Sequence, residues 1–129
     1  MCYETIRSFE TARFAVIVDA THDDDADMSY MEPDELSEFY AKGGESYLVR
    51  VRVMLDGNEI ASDYLGGCDY YDIKDFQDHR ECGRTNREFA ARGERVRCGS
   101  YFSDMIRSAI AEARETLRSR EPVRVRAAA

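Results

Sequence analysis

Apolar and polar positions in this chain follow two periods, and the switch between them outlines a fold. Over residues 12–19, Phe14, Val16 and Val18 alternate with Arg13, Ala15 and Ile17, a period of two rich in β-branched side chains that predicts a strand. The same period returns over residues 46–55 and 59–65, where Asp56-Gly57 between the two runs signals a two-residue hairpin turn. That turn sets Val53 opposite Ile60, Val51 opposite Ser62 and Val49 opposite Tyr64 on one face. On the other face Arg50 meets Asp63 and Met54 meets Glu59. Towards the C-terminus a helical period takes over. Phe102, Met105, Ile106, Ala109, Ile110, Ala113 and Leu117 keep the i, i+3, i+4, i+7 spacing, with Ser100 as cap. Arg118 and Arg120 suit the carbonyl end of that helix, Pro122 prevents its continuation, and at 1.5 Å per residue it is roughly 30 Å long.

Shorter elements are marked by their ends. Pro33 suits a first helical position, Asp34 and Glu35 its first turn, and Gly43-Gly44 its stop, with Leu36, Phe39 and Tyr40 on one face. Gly66-Gly67 reads as a bulge or exit turn. Asp72 can cap a helix running to about residue 79. Thr85 to Glu88 fits a capping box, and Gly93 ends that helix after about two turns. The expected fold class is α+β: a small antiparallel sheet of three to four strands, the long C-terminal helix packed on one face, and short helices in the connections. Residues 1–121 form a single domain, and residues 122–129 are expected to be a flexible tail. No internal repeat and no dividing linker is visible.

Composition narrows the class. The chain has 129 residues, 43% of them apolar, with eight Tyr and six Phe, which excludes disorder and allows one sizeable core. Its longest apolar runs, such as residues 14–18, are far too short for a membrane span. The first residues carry no basic stretch followed by an apolar one, so no secretory signal is read. The four cysteines, Cys2, Cys68, Cys82 and Cys98, are therefore expected as reduced thiols of a cytoplasmic protein.

Catalytic and metal signals are weak. Cys68, His79, Cys82 and Cys98 are residue types suited to zinc, yet no Cys-x2-Cys knuckle joins them. Asp23, Asp25 and Asp27 match the first three ligand positions of a calcium loop, but the sixth position is Met28 instead of Gly and the twelfth is Asp34 instead of Glu. No strained, Gly-rich elbow surrounds His79 or Cys82, and Gly66-Gly67 lacks a phosphate-cradle pattern. The expectation is a non-enzymatic protein with no catalytic residues, no metal and no cofactor.

Charge changes this picture most. Residues 1–78 hold 19 acids against 6 bases, and residues 79–129 hold 7 against 12, for a net charge of −8. Between Ala20 and Ala41 lie Asp23, Asp24, Asp25, Asp27, Glu32, Asp34, Glu35 and Glu38, with no Lys or Arg among them. Such a field attracts basic surfaces and repels nucleic acid. These eight are the candidate partner-binding residues, and the partner they imply is a protein or ribonucleoprotein complex with a basic surface. The alternative is a nucleic-acid-binding accessory protein using the Arg-rich 80–97 segment, with Arg84, Arg87, Arg92 and Arg95 beside Phe89. The net acidity argues against that direct contact.

Three stretches carry a resemblance: Leu55-Asp56-Gly57-Asn58-Glu59-Ile60, then Asp63-Tyr64-Leu65-Gly66-Gly67-Cys68, and the helix from Gly99-Ser100-Tyr101-Phe102 to Arg114. Over about residues 5–118 the chain resembles small accessory proteins of phages, prophages and plasmids. The resemblance implies a mobile-element context, a class that includes anti-CRISPR and anti-restriction proteins. Many of these are compact and acidic and act by occupying a nucleic-acid-binding surface. Its motifs are a hairpin and a helix cap, so no catalytic residue is carried over.

Overall fold

The computed structural model describes residues 2–80, 84–96 and 98–120, and in it four strands follow one another as an antiparallel meander. They are β1 (Glu4–Glu10), β2 (Ala15–His22), β3 (Glu45–Leu55) and β4 (Asn58–Tyr70). Helix α1 (Pro33–Ala41) connects β2 to β3. A 3-10 turn (Ile73–Gln77) and helix α2 (Asn86–Ala91) lie between β4 and the long helix α3 (Tyr101–Arg120). This is the α+β architecture expected from the two periods. Strand β1 carried no strand signal in the sequence reading, and β2 runs three residues further than expected, through Ala20 to His22. Residues 122–129, expected as a tail, lie outside the described residues.

The predicted caps are in place. Ser100 Oγ accepts the Ser103 N–H at 3.0 Å, Thr85 Oγ1 accepts the Glu88 N–H at 3.1 Å, and Asp72 Oδ1 accepts the Lys74 N–H at 3.0 Å. Each satisfies one of the amides that a helix start leaves unpaired.

The core lies between one sheet face and α3. Val16, Val18, Val49, Val51 and Val53 are fully enclosed, and Phe102, Met105, Ala109 and Ala113 descend on them from the helix. Ala109 and Ala113 have no exposed surface, so small side chains at the closest approach let the helix lie flat on the sheet. Ile106, Ile110 and Leu117 pack at the margin, half-buried.

The hairpin register corrects the expectation. The turn is as predicted: Asp56 (φ 52°) and Gly57 (φ 80°) both take positive φ, and Leu55 pairs with Asn58 and Met54 with Glu59. Beyond Glu59, however, Ile60 is an extra residue, so Val53 pairs with Ala61, Val51 with Asp63 and Arg50 with Tyr64. A bulge of one residue turns over every side chain that follows. It exchanges Ser62 and Tyr64 for Ala61 and Leu65 on the core side. A second irregularity falls at Gly66-Gly67, where Gly67 has φ 64°, and β4 continues through it to Tyr70.

Candidate acidic interaction face

The acidic segment is built by the end of β2, a short loop and α1, and its eight acids do not share one environment. Asp23 is drawn into the fold. Its Oδ2 accepts the Gly67 N–H at 2.8 Å and its Oδ1 accepts the Asp25 N–H at 3.1 Å, fastening the loop to the glycine irregularity of β4. A Cβ on Gly66 would stand 2.9 Å from the same Oδ2, so a side chain there would displace the carboxylate that fastens the loop. The other seven, Asp24, Asp25, Asp27, Glu32, Asp34, Glu35 and Glu38, are exposed. Asp24 lies 3.3 Å from His22 Nε2, and Glu38 forms a 2.6 Å ion pair with Lys42 one turn along. Hydrogen bonds from Ser29 hold the Asp27 carboxyl below its usual pKa, so it stays charged.

Aromatic residues accompany these acids. Phe39 is the buried residue of α1, with its ring 5.1 Å from that of Tyr71 and 5.8 Å from that of Tyr40. Gly44 closes the helix by donating its N–H to the Phe39 carbonyl at 2.8 Å, and a side chain there would collide with the Phe39 ring. Tyr30 donates its hydroxyl to Asp69 of β4, anchoring the middle of the loop. Tyr30, Tyr40 and Tyr71 remain 65%, 49% and 57% exposed. Beside α1 a depression of about 280 Å³ is lined by Met31, Glu35, Glu38, Phe39, Lys42 and Tyr71. The sequence reading found the acids and missed this aromatic part, because Tyr71 follows a strand that was expected to end five residues before it does.

The Arg-rich segment is disposed otherwise. Arg84 is held by Glu94 at 2.9 Å, and Arg87 lies 3.9 Å from both Asp75 and Asp78. Arg92 and Arg95 are exposed. Phe89, which would have to stack on a base, is buried with only 6% exposure. The structure therefore brings Arg84 and Arg87 towards the chain's own acids and encloses the aromatic between them.

Two further polar assemblies were not foreseen. On the sheet face opposite α3, Asp19 is buried and grips Arg50 through two 2.8 Å hydrogen bonds and Arg52 through one of 3.1 Å. The Arg50 guanidinium lies 3.5 Å above the Tyr3 ring, and its bonds to Asp19 raise its pKa. The signal was present: acid and base stand at alternate positions of adjacent strands, and Asp19 pairs directly with Arg50. After β4, a cleft of about 530 Å³ runs past Tyr70, His79 and Arg87. Burial raises the Tyr70 phenol pKa, and its hydroxyl lies in hydrogen-bond contact with His79 Nδ1 at 2.6 Å. Among the described residues, the side-chain hydrogen-bond partner of His79 Nδ1 is the Tyr70 phenol. Among the described residues, no group of three or more His, Cys, Asp or Glu is placed to hold a metal ion. Of the drawn zinc set, Cys82 lies outside the described residues, Cys68 is a buried free thiol and Cys98 is disulfide-bonded. The expectation of four reduced cysteines is corrected to that extent.

No protein-family model, no curated protein and no solved structure matches this chain. Among the described residues, no helix is long and apolar enough to cross a membrane.

Proposed function

We propose that this chain is a non-enzymatic binding protein that sets its acidic α1 face against a basic protein surface of the kind that otherwise holds nucleic acid. One observation carries the reading: seven carboxylates of the 24–38 segment are exposed, and so are Tyr30, Tyr40 and Tyr71, the last lining one depression with Glu35 and Glu38. Carboxylates supply attraction at a distance and orientation on approach. Tyrosines supply rigid contact area once the surfaces meet, and such side chains dominate protein interfaces. A merely solvated acidic loop gives no reason to expose aromatic rings beside it.

The resemblance to phage, prophage and plasmid accessory proteins suggests a host defence complex as the partner, inhibited by occupation of its nucleic-acid groove. The alternative, direct nucleic-acid binding through Arg84, Arg87, Arg92 and Arg95, is disfavoured by the pairing of Arg84 and the burial of Phe89. The test is capture of the partner from bacterial lysate, followed by affinity measurement with the purified partner at low and high salt. Binding that weakens with salt and with neutralisation of the exposed acids supports the proposal. Binding of nucleic acid by the isolated chain, lost when the four arginines are replaced, replaces it with the alternative.

A further inference from the structure

The depression beside α1 fits one kind of side chain. Phe39 is enclosed to 93% and lies against the Tyr71 ring, with Met31 completing the apolar lining. Glu35 and Glu38, three positions apart on α1, supply carboxylates to the same depression. At about 280 Å³ it falls just below the range of small-molecule pockets, and suits a single long side chain. The exposed Tyr71 ring, backed by the enclosed Phe39, and the paired carboxylates together select a planar, weakly hydrated cation. A guanidinium stacks on rings and takes carboxylates in bidentate fashion, whereas an ammonium is a compact, strongly hydrated point charge. Nucleic acid brings no such cation, and the surrounding acids repel it. The chain's own Lys42 already reaches Glu38 at 2.6 Å, which shows that a cation is tolerated at this position.

We propose that this depression receives an arginine side chain of the partner protein. The inference rests on the acidic-face reading and makes it specific: the face selects arginine-bearing surfaces over lysine-bearing ones of equal charge. Lys42 is then a weak internal competitor for Glu38.

The experiment uses fluorescein-labelled octa-arginine and octa-lysine, titrated by anisotropy into the full chain at low and physiological salt. Octa-arginine is expected to bind about tenfold tighter. Tyr71→Ala, at an exposed ring, should bring the two affinities together while leaving octa-lysine binding unchanged. Lys42→Met should strengthen octa-arginine more than octa-lysine, because it frees Glu38 in addition to removing one positive charge. Equal affinities in the unmodified chain, or an arginine preference that survives Tyr71→Ala, overturn the pocket and leave the acidic face standing. Failure of both peptides to bind at low salt overturns the acidic face and the pocket together.

Discussion

Asp23 accepts the backbone N–H of Gly67 at 2.8 Å, a contact that spans 44 positions of the chain. It divides the acidic cluster into one residue that serves the fold and seven that remain available. Asp23→Ala should lower stability by about 1–2 kcal/mol through loss of a charged acceptor. The triple replacement of Asp24, Asp25 and Asp27 by Asn should stay within about 0.5 kcal/mol of the parent, as expected of exposed positions. Urea melts of the two variants decide this. A triple variant as unstable as Asp23→Ala would mean that the whole loop is structural.

The same triple variant addresses function. Its affinity for the captured partner should fall about tenfold or more, roughly 1.4 kcal/mol, with a shallower salt dependence. Replacing Arg84, Arg87 and Arg92 by Ala should do less. Affinities at two salt concentrations give the comparison, and the reverse ranking transfers the site to the arginines.

Asp19 is 2% exposed and holds two guanidinium groups. Removing one member of a buried ion network leaves uncompensated charge, so Asp19→Ala should destabilise by about 3–5 kcal/mol. The double variant Asp19→Leu with Arg50→Met should recover much of that loss. Guanidinium melts of the single and double variants form the test, and equal stability of Asp19→Ala and parent would show that the network is ornamental.

Cysteine reactivity should separate the two free thiols among the described residues. Cys2 is exposed, whereas burial pushes the Cys68 thiol from 9.0 up to about 12. Iodoacetamide at neutral pH should therefore modify Cys2 in the native protein and reach Cys68 only after unfolding. The same raised value predicts alkaline lability. Because the folded state holds this proton more tightly than the unfolded one, its contribution is complete below about pH 9 and is lost as pH rises towards 12. Tyr70, also raised by burial, acts in the same direction from about pH 10. The denaturant midpoint should fall over this window, and Cys68→Ala should delay the onset. Mass spectrometry reads the first effect and melts at stepped pH read the second.

Ala109 lies at the contact of α3 with the sheet and has no exposed surface. Ala109→Leu should lose about 1–3 kcal/mol by overpacking. Ile106→Ala, half-buried at the margin, should lose less than the 2–5 kcal/mol typical of an enclosed site. Thermal melts rank the two positions. An unaffected Ala109→Leu would imply that α3 stands further from the sheet than described.

The elements written in short-range chemistry were readable in advance. Asp56-Gly57, Thr85 and Ser100 each announce a turn or cap through their own side chain or backbone, and each is in place. The parts missed depend on residues far apart. Nothing around Ile60 marks it as an extra residue, because the bulge is decided by which β4 side chains fill the space under α3. Residues 4–10 alternate poorly, with only Ile6 and Phe9 turned towards the core, and they become a strand because β2 offers a free side to pair with. The acidic run was plain as composition. The aromatic depression was hidden, since Phe39 and Tyr71 meet only when α1 folds back beside the end of β4.

Both outer strands of the meander are irregular: β1 shifts register between Thr5 and Arg7, and β4 does so at Ile60 and again at Gly66-Gly67. An outer strand carries a row of unpaired amides and carbonyls that another chain can extend, and interruptions break that row into lengths too short to template a partner strand. Glu4, Arg7 and Glu10 add charge along one margin. The consequence is a protein protected from joining copies of itself edge to edge, so that association is left to side-chain surfaces, where recognition can be selective.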